Sequence, residues 1–193
     1  MKNPQIEIDA LYDIAEIRSG YTFRKRVTNN EAGDGFAIQL RDIIDHTSIS
    51  NQPHRIEIPD GRHVLQKGDI LFIAKGQNNF AIVFDKEYPA VASAVFFIIS
   101  VDPYQGVSPE YLAWYINQAP AQRHFKMNLE GTAQRNITRK TLEQLKITIP
   151  SQKQQELICK IDRLKQREKF LEKEISEKRK LLIEQTLLNS ITI

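Results

Sequence analysis

Residues 151–190 read SQKQQELICKIDRLKQREKFLEKEISEKRKLLIEQTLLNS and contain neither Gly nor Pro. At the start of this segment, Ser151 and Gln154 have the spacing of a capping box, in which two side chains bond backbone N–H groups at a helix N-terminus. The segment therefore predicts one long helix that begins directly after Pro150. At about 1.5 Å per residue, such a helix would extend over roughly 55–60 Å.

The apolar residues of this helix recur at alternating steps of four and three, which is the spacing of a coiled-coil seam. Glu168 and Lys178 interrupt the pattern with charges. A helix this long cannot bury its whole apolar stripe against its own domain, so we expect a partner helix. The predicted dimerisation residues, called the seam below, are Leu157, Ile161, Leu164, Leu171, Ile175 and Leu182.

The preceding residues have a different pattern, in which short β-type runs are separated by turns. In residues 36–40 the large apolar side chains of Phe36, Ile38 and Leu40 alternate with Ala37 and Gln39, and residues 91–101 are almost continuously apolar or β-branched. Asp34-Gly35 and Lys67-Gly68-Asp69 supply turn chemistry between such runs. We expect five or six strands between Ile6 and Val101.

Short helices are predicted after the strands. Ser108 can cap a helix over residues 109–118, because Pro at the first helical position is already set for the helix. Pro120 should interrupt that helix, and residues 121–129 should continue as a second helical piece.

A short helix and a closing strand complete this region. Thr138 can cap a helix through Leu145, and residues 146–149 form a predicted strand. The predicted fold class is therefore α+β: a β-rich domain with short helices over residues 1–150, followed by a long coiled-coil helix over residues 151–193.

Charge and composition leave the function open. The net charge is +3; residues 1–150 contain 17 Lys and Arg against 17 Asp and Glu, and residues 151–193 contain 10 against 7. A single cysteine, Cys159, cannot form an internal disulfide. The sequence shows no signal peptide and no apolar run of about 18 residues. We expect a cytoplasmic protein that does not contact membranes.

Enzymatic functions find little support in the sequence. An adenine methyltransferase would need an Asn/Asp-Pro-Pro-aromatic segment and a Gly-rich cofactor loop, whereas the chain offers only Asp102-Pro103-Tyr104. A metal-dependent nuclease would need clustered carboxylates beside a Lys, and the four His residues are too widely spaced for a zinc site. We expect no catalytic residues, no metal and no cofactor bound by this chain.

Three polar loops carry side chains suited to DNA. Loop A, residues 20–26, places two aromatic rings beside three consecutive cations, which combines stacking surface with phosphate-neutralising charge. Loop B, residues 75–79, and loop C, residues 131–136, each join Gly to amide and basic side chains that can bond base edges. Each alone could be an ordinary polar loop, but three on one domain favour DNA binding. The predicted DNA-binding residues are Tyr21, Thr22, Arg24, Lys25 and Arg26 in loop A, Lys75, Gln77, Asn78 and Asn79 in loop B, and Thr132, Gln134, Arg135 and Asn136 in loop C.

The order of these landmarks resembles the target-recognition domains of type I restriction–modification specificity subunits. The resemblance covers nearly the whole chain, and its strength lies in the fixed order of individually weak motifs. The similar segments are Leu11–Ile17 with Ser19-Gly20, Leu65–Leu71, Pro109–Leu112, Gly131–Ile137, Leu142–Leu145 with Ile147 and Ile149-Pro150, and Gln154-Gln155. Gln154 departs from the Glu that is common in the family.

The resemblance implies a protein that binds double-stranded DNA but neither cuts nor methylates it. It implies modification subunits, which use S-adenosylmethionine, as partners and a restriction subunit bound through them. Family members usually have two recognition domains and two antiparallel helices in one chain, whereas this chain has one of each. That departure implies either a half-subunit that pairs as a homodimer or the remnant of a split gene.

Two questions stay open at this point. Glu168 and Lys178 lie ten residues apart and could face each other across an antiparallel helix pair, although a solvated helix face explains them equally well. The chain could also be an interaction protein without DNA binding, whose helix is a plain dimerisation module.

Overall fold

The computed structural model describes residues 7–44, 48–50, 52–59, 61–76, 78–128 and 136–191. The chain divides into two compact units, Met1–Gln155 and Glu156–Ile193. The first is built of sheets with short helices, and the second belongs to one long helix. The predicted α+β fold class is confirmed.

The strands lie almost entirely in the first part of the chain. They are β1 Glu7–Ala10, β2 Ala15–Ser19, β3 Gly35–Ile38, β4 Ile43–Ile44, β5 Ser48–Ile49, β6 His54–Ile56, β7 Ile70–Ile73, β8 Ala81–Val83, β9 Ala90–Ala92, β10 Phe96–Val101 and β11 Lys146–Ile149. The expectation of five or six strands before Val101 was wrong, because the described residues of that region form ten. Several have only two or three residues, which is too short to show a period in sequence.

The helices are α1 Leu11–Ile14, α2 Pro109–Ile116, α3 Ala119–Met127, α4 Arg139–Glu143 and α5 Gln152–Ile191. Helices α2, α4 and α5 begin at their predicted caps, whereas α1 was not predicted. The Ser108 hydroxyl accepts a hydrogen bond from Tyr111 N–H, and Thr138 does the same for Thr141. Helix α2 ends at Ile116, and Pro120 stands in the first turn of α3.

Two sheets enclose the main core. The first has the order β2-β10-β7-β8 and is antiparallel throughout, whereas the second has the order β6-β3-β9 and pairs β3 with β9 in parallel. Buried side chains of both sheets, including Ile38, Leu71 and Ile98, form one hydrophobic cluster. Every residue of β7 is buried, which explains the continuous apolar run of that strand.

A buried carboxylate ties three neighbouring strands together. Asp69, just before β7, is only 3% exposed. Its oxygens accept hydrogen bonds from Arg18 on β2 at 2.7 Å, Ser100 on β10 at 2.6 Å and the backbone N–H of Gln66 at 2.9 Å. A buried charge is tolerated when its oxygens are satisfied in this way, so the network makes this part of the sheet rigid.

A second buried polar group holds the first turn of α5. Gln155 is 1% exposed, and its amide nitrogen donates to the carbonyls of Gly106 and Pro150 at 2.8 and 2.9 Å. Its amide oxygen accepts from Ser108 N–H at 2.9 Å. The predicted capping residue Gln154 also bonds, accepting from the backbone N–H of Ser151 at 3.1 Å.

Candidate nucleic-acid interface

Loop A leaves the sheet at the end of β2, where Gly20 is needed for a close approach. Gly20 N–H donates to the Phe96 carbonyl at 3.0 Å, and Tyr21 N–H donates to the Ala92 carbonyl at 2.8 Å. A Cβ atom added to Gly20 would lie only 2.2 Å from the Ser93 carbonyl oxygen. Loop A is therefore pinned against the connection between β9 and β10.

The aromatic and basic residues of loop A have different surroundings. The rings of Tyr21 and Phe23 are half-buried and lie edge to face, with centroids 4.9 Å apart, and Tyr21 also contacts the ring of His63 at 5.1 Å. Val27 is buried at the end of the loop, whereas residues 24–26 are exposed. The rings thus anchor the loop, and the three cations remain available to a ligand.

A cleft of about 360 Å³ lies beside loop A. Lys25 and Arg26 line it together with Gln39 and Arg41, which follow β3. The Asp42 carboxylate lies 3.9 Å from Arg41 Nε and accepts a hydrogen bond from Gln39 N–H at 2.8 Å, so it shapes this wall of the cleft. The arrangement gathers three cations and one amide at a concave surface.

Sequence reasoning missed Gln39 and Arg41. Their only signal was a polar residue near the end of the run 36–40 and a basic residue directly after it, which is common at the end of any surface strand. Only the parallel pairing of β3 with β9 brings these residues to the cleft beside loop A.

Loop B follows β7 and is shaped by its own side chains. Gly76 has φ of 121°, a conformation that favours glycine. The amide nitrogen of Asn79 donates to the Ile73 carbonyl at 2.9 Å, so this predicted base-reading group closes the turn. Lys75 and Asn78 are exposed, and Gln77 lies outside the described residues.

Loop C returns to loop B at its last residue. Lys75 and Asn136 form an isolated antiparallel bridge, and Ile137 N–H donates to the Ala74 carbonyl at 2.9 Å. Asn136 is exposed. The other predicted residues of loop C, namely Thr132, Gln134 and Arg135, lie outside the described residues.

Strand topology brings loops A and B to one edge of the four-stranded sheet, and the bridge between Lys75 and Asn136 adds the last residue of loop C. Because β2 and β7 both run antiparallel to β10, they end on the same side, beside the start of β10. Gly20 N–H bonds the Phe96 carbonyl and Ala74 N–H bonds the Val95 carbonyl, so loops A and B leave from adjacent points. Neighbouring strands are about 4.8 Å apart, which places the two loop origins roughly 10 Å from each other.

Within the described ranges, His, Cys, Asp and Glu residues form no group of three or more that could hold a metal ion. Over the same part of the chain, every helix is too short or too polar to cross a membrane.

Residues 5–185 match the protein family described as Type I restriction modification DNA specificity domain. The chain belongs to this family. The family expected from the order of the sequence landmarks is thereby confirmed. No curated protein matches the chain significantly.

Solved structures of specificity subunits share the fold of this specificity-domain protein. The HsdS subunit from Thermoanaerobacter tengcongensis aligns with a TM-score of 0.59 and 18% identity over 86% of this chain and 39% of the HsdS chain. The S subunit from M. genitalium aligns with a TM-score of 0.58 and 13% identity over 83% of this chain and 39% of its own.

A third structure is described as the structural basis underlying complex assembly and conformational transition of the type I R-M system. It aligns with a TM-score of 0.68 and 17% identity over 92% of this chain and 43% of that chain. The specificity-domain chain thus spans about two fifths of the length of the solved chains it matches.

The close approach at Gly20 generates a prediction. Gly20→Ala should lower the free energy of unfolding by about 1–3 kcal/mol, because its Cβ would overlap backbone atoms that cannot rotate away. Urea denaturation measures the loss. Gly61→Ala is the matched control, since a Cβ there has no atom within 4 Å and should change stability by less than about 0.5 kcal/mol. Equal stability of the two variants would contradict the pinning of loop A.

Proposed function

We propose that this protein is a sequence-specific DNA-binding specificity subunit of a type I restriction–modification system. The observation that supports the proposal most strongly is that loop A, loop B and Asn136 of loop C meet at one sheet edge, because a family member needs one continuous surface to contact a duplex. Family membership over residues 5–185 supports the same function.

Within this surface we assign the cations to phosphate contacts and the amides to base contacts. Lys25, Arg26 and Arg41 line the cleft, and cations of this kind neutralise phosphates without reading sequence. The exposed amides of Asn78 and Asn136 suit base edges, and an Asn can bond adenine bidentately in the major groove. Phosphate contacts would set the register and amide contacts would select the sequence.

The proposed subunit neither cleaves nor methylates DNA. It holds modification subunits, which use S-adenosylmethionine, and through them a restriction subunit. Its own contribution to the complex is to place those enzymes on a chosen sequence.

We further propose a homodimer of half-subunits that recognises a bipartite site. The seam residues of α5 are each 40–64% exposed in the single chain. Contiguous exposed apolar surface marks an association site, and two identical chains pair most simply through a two-fold contact. Such a dimer would carry two recognition domains and would recognise two half-sites.

The division of contacts predicts two different mutational signatures. Asn78→Ala or Arg135→Ala should weaken binding to the preferred site by about 1–3 kcal/mol and leave binding to random duplex nearly unchanged. Arg24→Ala or Lys25→Ala should weaken both equally and reduce the salt slope of binding by about one. Fluorescence anisotropy over a salt series measures each constant, with Lys146→Ala, on β11, as the control.

The opposite outcome would contradict this assignment. If Asn78→Ala weakened binding to both duplexes equally, Asn78 would be a phosphate contact and not a base contact. Binding to duplex DNA that is weak and independent of salt would contradict DNA recognition and favour a coiled-coil interaction protein.

The homodimer predicts that Leu164→Asp combined with Leu171→Asp yields a monomer, because four carboxylates would enter the seam of each dimer. Sedimentation equilibrium measures the mass. Gln166→Asp combined with Ser176→Asp is the matched control: it adds the same charge at exposed positions outside the seam and should leave the dimer intact. A wild-type chain that remains monomeric at tens of micromolar would refute the homodimer.

A further inference from the structure

The heptad positions of α5 restrict how two copies can pair. Its seam positions alternate between two classes, one containing Leu157, Leu164, Leu171 and Lys178 and the other containing Ile161, Glu168, Ile175 and Leu182. In an antiparallel pair, each layer joins one position of each class. The allowed registers therefore differ by whole heptads, and each has its two-fold axis at a defined residue number.

One register matches every charged seam position with its opposite. With the axis beside residue 173, the facing pairs are Leu164 with Leu182, Glu168 with Lys178, and Leu171 with Ile175. Each pair occurs twice because of the symmetry. The six central layers thus contain four that are wholly apolar and two that hold an ion pair.

The neighbouring registers place charges against apolar side chains. With the axis at 169.5, Glu168 would face Leu171 and Lys178 would face Ile161. With the axis at 176.5, Lys178 would face Ile175. Packing a charge against an apolar side chain without a partner is costly, because the charge loses water and gains no bond in return.

The ends of the helix do not reverse this preference. With the axis beside residue 173, Ile161 faces Gln185 and Leu157 faces Asn189. These layers place a neutral amide against an apolar residue, which is less costly than placing a charge there. The register with its axis at 169.5 also has four wholly apolar layers. It is therefore disfavoured relative to the register at 173 by its unpaired charges.

The same two charges, Glu168 and Lys178, disfavour a parallel pair of helices. In a parallel pair at equal register, Glu168 would face Glu168 of the second copy, and Lys178 would face Lys178. Both residues are exposed, and among the described residues neither has an ion-pair partner in its own chain. Like charges in facing positions repel, whereas the antiparallel arrangement pairs them.

We propose that a second copy of this chain binds α5 antiparallel with the two-fold axis beside residue 173, and that Glu168 and Lys178 determine this register. The inference rests on the proposed homodimer and adds its orientation and alignment. It gives the two charged interruptions a common role, since a polar seam position can specify register at some cost in stability.

Charge reversal tests the cause. Glu168→Lys alone or Lys178→Glu alone should weaken dimerisation about tenfold or more, because each creates two like-charge layers per dimer. The double variant should restore the wild-type dissociation constant to within about threefold. Glu177→Lys and Lys169→Glu make the same charge changes outside the seam and serve as controls. Equal effects of single and double variants would refute the role of the pair.

Spin-label distances test the register itself. A spin label is attached at Lys165→Cys or at Lys180→Cys, each in a Cys159→Ala background. Along the helix axis, the label at position 165 should lie about 24 Å from the same label on the second copy, and the label at position 180 about 21 Å from its counterpart, given the 1.5 Å rise per residue. Double electron–electron resonance on the full chain measures both. A shift of one heptad would change the two values by about 10 Å in opposite directions.

The outcomes separate this inference from the proposed function. Distances for a shifted or parallel dimer would overturn the register and leave the homodimer standing. A monomer would overturn both. The predicted pair of distances, together with rescue by the double charge reversal, would support the register against every alternative above.

Discussion

The apolar stripe of α5 is the constraint on which the organisation of this protein depends. The helix has 40 residues and a length of about 60 Å, and its seam residues remain 40–64% exposed in the single chain. A second helix is the simplest structure that can cover so narrow and long a stripe. In the proposed dimer, α5 pairs antiparallel with a second copy, so two recognition domains would belong to one particle and the dimer would recognise a site in two halves.

The proposed DNA recognition would depend on how the four-stranded sheet is connected. Since β2 and β7 flank β10 and end together, loops that lie far apart in sequence leave from one edge. The buried Asp69 network connects these strands through Arg18 and Ser100. In the proposed function, this edge holds the exposed side chains of loops A and B in fixed positions from which they would contact DNA.

Local signals in the sequence were enough to predict α2, α4 and α5, whereas α1 has no capping side chain and was not predicted. Ser108, Thr138 and Gln154 bond the backbone within three residues of their own positions, so their spacing alone reveals the helix starts. Non-local features were not predictable. The two-residue strands β4 and β5 have no period, and the cleft needs Arg41 to meet loop A through a parallel strand pair. The structural use of Asn79 also depends on the carbonyl it happens to meet.

In the proposed dimer, the recognition domains of two copies, joined by α5, recognise a two-fold DNA site. Selection from a pool of random duplexes, using the protein reconstituted with its modification subunit, tests this most directly. We expect enrichment of an inverted repeat whose two halves are separated by an unread spacer of about one helical turn, roughly 10 base pairs. Enrichment of a single asymmetric block of sequence would contradict it.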